Sequence, residues 1–184
     1  DKLNLDADYG LELNIYDPKK RKWSERSELK FPGQRSPARS FTFPLKTTSC
    51  RLLFPGMRKT VDAAGKAVHY HNTWAPVDEA VTAIGAYNSR GGLDWRLGKA
   101  LNFSPEMSSR GLDENAIMQL ADGRIAAVCR GDNSAFREKP GYKWLSFSRM
   151  KARPGRRPCR CRPRAASPSN PARTARRCSA PSRT

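Results

Sequence analysis

An all-β fold, laid out as an antiparallel meander, is predicted for residues 11 to 149 of this 184-residue chain. Three observations predict it. Short runs rich in β-branched and aromatic residues recur along that stretch, Gly, Pro, Asp and Asn clusters separate them, and no dozen consecutive residues carry a helical period. The expected strands are Leu11–Tyr16, Ser40–Leu45, Cys50–Phe54, Ala67–Tyr70, Ala80–Tyr87, Asn115–Leu120, Arg124–Arg130 and Lys143–Arg149.

Turn chemistry supports the meander at three places. In Gln119-Leu120-Ala121-Asp122-Gly123-Arg124-Ile125 the Asp-Gly pair accepts the positive φ that a tight hairpin demands. Asp62-Ala63-Ala64-Gly65-Lys66 does the same with a longer loop, and Asp17-Pro18 precedes a strand that begins near Trp23. Meanders of this spacing close into propellers or barrels, or stack as sandwiches.

The formal net charge of +18 is unevenly spread. Residues 150–184 hold 11 Lys or Arg side chains and no carboxylate, which leaves a net charge of +7 on residues 1–149. That final segment has no aromatic residue and no Val, Ile or Leu. It cannot bury enough apolar surface to offset its ordering entropy, so it is expected to be a disordered basic tail. No aromatic residue interleaves its arginines for base stacking, which argues against specific nucleic-acid binding. Cys159-Arg160-Cys161 lacks the second ligand pair of a zinc site. No stretch approaches the roughly 18 apolar residues of a membrane span. Cys50 and Cys129 sit in apolar stretches and are read as buried thiols. His69 and His71 alternate along a strand with no third ligand in metal spacing, so no metal is expected there.

The most informative stretch runs Arg110-Gly111-Leu112-Asp113-Glu114-Asn115-Ala116-Ile117-Met118-Gln119-Leu120-Ala121-Asp122-Gly123-Arg124-Ile125-Ala126-Ala127-Val128-Cys129-Arg130. A Glu opens a strand, a Leu-x-Asp-Gly hairpin follows, and an Arg closes the return strand. This resembles the corresponding unit of the sialidase family. Tyr142–Arg149 is similar to the strand that leads into that family's repeated Ser-x-Asp-x-Gly-x-x-Trp turn.

The resemblance implies a β-propeller and a glycoside hydrolase acting on terminal sialic acid or a related acidic sugar, with no cofactor. It implies that Glu114 acts on a Tyr nucleophile and that Arg130 binds the sugar carboxylate, for which a planar guanidinium is well shaped. Sialidases depart from the two-carboxylate scheme of most glycosidases in using that Tyr. The family's acid Asp, its Tyr and its other arginines match no motif here, although Arg35, Arg39, Asp78 and Asp94 are available.

At roughly 40–50 residues per blade, residues 1–149 amount to about three blades. An incomplete propeller, inactive as it stands, is the expectation. The genetic code permits an explanation for the tail. One base earlier than the Met150 codon, the reading continues as Asp, Asn, His or Tyr, then Glu, then Gly or Ser, with Trp permitted three positions on. An out-of-frame tail after Arg149 is therefore expected. A non-catalytic carbohydrate-binding propeller is the first competing expectation, and nonspecific nucleic-acid binding through the basic tail is the second.

Overall fold

The computed structural model describes residues 10–39, 42–89, 92–136 and 138–148. The expected basic tail, residues 150–184, and Arg149 lie outside the described residues. Among those described there are twelve strands and no helix, and every strand pairing is antiparallel. None of the sheets closes on itself.

Two small hairpins and ribbons come first. β1 (Glu12–Leu13) pairs with β4 (Ser27–Glu28), and β2 (Tyr16–Asp17) pairs with β3 (Lys22–Trp23). The Asp17 carboxylate accepts from the Lys19 and Lys20 amides and so shapes the turn expected there.

The larger sheet has five strands: β5 (Ala38–Arg39), β6 (Leu45–Lys46), β7 (Arg51–Lys59), β8 (Asp78–Tyr87) and β9 (Leu93–Leu97). β7 runs past Pro55-Gly56, where a break was expected. The reason is positional. β6 pairs with Leu52 and Leu53 and β5 with Gly56 and Met57, so Pro55 falls between them and its missing N–H removes no ladder bond on that edge. Ala67–Tyr70, expected as a strand, is not one: Ala67 forms an isolated bridge with Val61, and Val68 bonds the backbone of Thr60 and Val77. Positive φ at His71 and Asn72 turns the chain away at once. The Asp62–Lys66 turn forms as expected, with Asp62 Oδ1 accepting from the Ala64 and Lys66 amides.

The third sheet is β10 (Leu112–Gln119), β11 (Ile125–Gly131) and β12 (Lys143–Phe147), in that order. β10 and β11 form the hairpin read from Asp122-Gly123, with Gln119 opposite Ile125 and Gly123 at a φ of 84°. Alternation decides which residues go inward: Cys129 and the half-buried Ala127 and Trp144 pack with Leu112 of β10 and with Ala80 of the larger sheet.

The two sheets are joined by hydrogen bonds as well as by this core. Asp78 and Gly111 form a parallel bridge, and the Asp78 amide donates to the Arg110 carbonyl at 2.9 Å. The side chain of buried Asn115 donates to the Gly56 carbonyl at 2.6 Å. Asn115→Ala should strand that acceptor and cost about 1–3 kcal/mol of stability. Urea melts of the two proteins would check this, and an unchanged midpoint would show that the link carries no load.

Cys129 is a buried free thiol, and burial pushes its pKa up to about 11. Cys50 departs from expectation: it lies in the turn before β7 and is disulfide-bonded.

Candidate functional site

The β10–β11 hairpin brings Glu114 and Arg130 together, and a β-bulge does it in a way that counting residues does not reveal. Asp113 stands opposite Arg130 in the ladder, and Asn115 stands opposite Cys129. Glu114 is the extra residue between them, at a φ of 24°. In a regular strand Glu114 would leave from the face opposite to Asp113. The bulge turns it so that both carboxylates meet one guanidinium. Arg130 Nη2 donates to Asp113 Oδ2 at 2.6 Å, and Arg130 Nη1 lies 3.2 Å from Glu114 Oε2. Asp113 is buried, whereas Arg130 and Glu114 are each about two-fifths exposed, at 44% and 39% of the side chain.

A second guanidinium backs this pair. Arg110, almost buried, reaches Asp113 at 4.0 Å and Asp132 at 3.6 Å, and its head lies 4.7 Å from the centre of the Trp74 ring. Ser108, fully buried, fixes the loop that carries Arg110. Its hydroxyl donates to the Gly111 carbonyl at 2.5 Å and accepts from the Asp132 amide at 2.9 Å.

Asp78 completes the cluster. The parallel bridge to Gly111 carries the start of β8 alongside Arg110 and Asp113. Burial, and next the nearby Asp113 carboxylate, push the Asp78 pKa up to about 6, against the opposing pull of Arg110, Lys59 and Arg130. Arg130 is shifted as well: burial acts to lower its pKa, but the bond to Asp113 and the charges of Asp113, Glu114 and Asp132 outweigh it and raise it. Two permanently charged guanidinium groups thus sit among four carboxyl groups, one of which is poised to hold a proton near neutral pH. Such a cluster can offer an oxyanion one guanidinium nitrogen and supply a proton beside it.

The other residues singled out in the sequence are placed elsewhere. Arg35 donates to the Lys59 carbonyl and lines, with Arg58, Lys59 and Lys99, a separate cleft of about 470 Å³. Asp94 is exposed on β9 and accepts from Asn88. The Arg39 side chain is outside the described residues. His69 and His71 face backbone carbonyls of Thr73 and Pro105. Among the described residues no three His, Cys, Asp or Glu side chains are grouped to hold a metal, and no helix is long and apolar enough to cross a membrane. Asp113, Arg110, Asp132 and Trp74 were not foreseen. The one available signal was the Arg110-Gly111-x-Asp113 run directly ahead of Glu114.

No protein-family model, curated protein or solved structure matches this chain.

Proposed function

We propose that the cluster around Arg130 binds the carboxylate of an acidic sugar, and that the chain is part of a sialidase-like glycoside hydrolase, inactive as it stands. The observation that carries this reading is the shared guanidinium: Arg130 is exposed enough to meet a ligand and is held in orientation by Asp113 and Glu114 on two different nitrogens. In this reading the incoming carboxylate takes the place of Glu114 on Nη1. The released Glu114 becomes the base for a Tyr nucleophile, while Asp78 is the proton donor. The consecutive neighbours β10-β11-β12 and β7-β8-β9 are consistent with propeller blades.

The catalytic set is incomplete. Among the described residues no tyrosine hydroxyl is bonded to Glu114, which favours binding without turnover and keeps the non-catalytic carbohydrate-binding propeller as a second reading. Titration with free sialic acid, followed by calorimetry or by NMR, should show binding. Arg130→Ala should weaken it about ten- to a hundredfold, the loss of a charge-assisted pair worth about 1.5–3 kcal/mol. Arg130→Lys keeps the charge beside Asp113 but loses the fork, and should recover only part of the affinity. A fluorogenic sialoside should not be hydrolysed. Wild-type affinity in both variants would sink the proposed role of Arg130, and turnover abolished by Glu114→Gln would refute the claim of inactivity.

A further inference from the structure

The cleft of about 470 Å³ at the end of β7 lies outside the cluster around Arg130, and three separate stretches of chain build it. The first is the loop that follows Phe31. There Phe31-Pro32-Gly33-Gln34 makes a tight turn, in which the Gln34 amide donates to the Phe31 carbonyl at 3.0 Å and Gly33 has a φ of 69°. Pro followed by Gly is what such a turn calls for. Phe31 and Pro37 are buried on either side, so the loop carrying Gln34 and Arg35 is pinned at both ends. The second stretch is the end of β7 with Glu79 of β8, tied to the loop where Arg35 Nη1 donates to the Lys59 carbonyl at 3.3 Å. The third follows β9, where the Gly98 amide donates to the Thr82 carbonyl at 2.8 Å and fixes the start of the segment that carries Lys99. The walls are set by the fold, which lowers the cost of ordering them around a ligand.

The charge on those walls is unbalanced. Arg58 stands opposite Glu79 in the ladder, and Lys59 stands opposite Asp78. Successive side chains leave a strand on opposite faces, so Arg58 and Glu79 share the face of the cleft while the buried Lys59 side chain goes with Asp78. Arg35, Arg58 and Lys99 therefore meet one carboxylate in the cleft, an excess of two positive charges. Arg58 engages Glu79 through Nε, and its two terminal nitrogens make no hydrogen bond among the described residues. The same holds for the Lys99 ammonium and the Gln34 side-chain amide. The Arg58 side chain is only 24% exposed, where charge is screened less than on open surface. No aromatic ring lines the cleft, and its polar wall includes Gln34 and Thr60. A phosphomonoester carries close to two negative charges at pH 7, and its oxygens suit both a guanidinium fork and an ammonium. We infer that this cleft binds a small phosphomonoester, with the phosphate on Arg35, Arg58 and Lys99 and the polar remainder against Gln34 and Thr60. The inference is independent of the acidic-sugar reading.

Calorimetry on the full chain tests this with three probes: glycerol 3-phosphate, inorganic phosphate and glycerol. The ester should bind about three- to tenfold more tightly than inorganic phosphate, through hydrogen bonds to its hydroxyls, and glycerol should not bind. Lys99→Glu reverses an exposed charge that no bond of the fold uses, so it should lower the ester's affinity about tenfold and leave the fold intact. Exchanging Arg58 and Glu79 together for Gln strands no charge and should cost about ten- to a hundredfold. Lys20→Glu makes the same reversal on the exposed turn between β2 and β3 and should leave the affinity unchanged. Between pH 5 and pH 7 the ester's affinity should rise, as it loses its second proton near about pH 6. Equal losses in Lys99→Glu and Lys20→Glu would trace the binding to the charge of the whole chain and overturn the site. An ester that fails to bind the wild-type protein overturns it as well. Equal affinity for the ester and inorganic phosphate overturns the phosphomonoester as the ligand.

Discussion

Gly111→Ala is expected to destabilise the protein by roughly 3–5 kcal/mol, through a clash compounded by a strained backbone. Gly111 has a φ of 73°, and a Cβ built on it would lie 2.0 Å from the Asp78 carbonyl oxygen and 2.8 Å from Val77 Cγ1. The first contact is with backbone and cannot be relieved by a side-chain rotation. Either the parallel bridge to Asp78 opens or β10 moves. Both separate the start of β8 from Arg110 and Asp113, so the site is lost together with the stability. Gly65 supplies the control. Its φ of 80° is as positive, but an added Cβ would meet nothing within 4 Å, so Gly65→Ala should cost only about 1 kcal/mol. Chemical melts of the two variants separate close approach from conformational strain. Equal losses would mean that the two sheets do not approach at Gly111 as described.

Much of the fold was legible because it follows from local pattern. The β10–β11 hairpin combines an Asp-Gly turn with apolar alternation on both arms; β11 falls within a residue of the expected strand, whereas β10 begins three residues before it. What alternation cannot supply is the place where alternation fails. A period of two puts Asp113 and Glu114 on opposite faces, and only the bulge reconciles them. Asp78 was equally opaque. Its environment is created by a bridge to Gly111, far away in sequence, and its own neighbours, Val77 and Glu79, say nothing of Asp113 or Arg110. β9 was missed although Leu93, Trp95 and Leu97 alternate with exposed Asp94 and Arg96, which is the pattern of a half-buried strand. Glu114 and Arg130 come together because a hairpin sets them beside one another. Their neighbours in the site depend on tertiary placement.

Stability should fall as pH rises from about 4 to above 6, and Asp78→Asn should remove that part of the dependence. Asp78 has an ordinary carboxyl pKa near 3.8 when unfolded and one of about 6 when folded. Between those values the folded protein binds a proton that the unfolded chain has released. The stabilising contribution is therefore complete below 3.8 and is lost as pH rises through about 6. The difference between those two values corresponds to roughly 3 kcal/mol as an upper bound, since part of the carboxyl still sees water. Asparagine keeps the shape and the backbone bond to Arg110 but has no charge to desolvate. Asp78→Asn should accordingly be the more stable protein at pH 7, and the difference should vanish near pH 4. Ligand binding should follow the same titration. Protonated Asp78 removes one of four negative charges around Arg110 and Arg130, so affinity for sialic acid should rise on going from pH 7 to pH 5 in the wild type and stay level in Asp78→Asn. Paired melts and titrations at pH 4, 5, 6 and 7 measure both effects. A wild-type protein whose stability and affinity track those of Asp78→Asn across that range would show that Asp78 holds no proton in the site, and the role of proton donor would have to pass to another group.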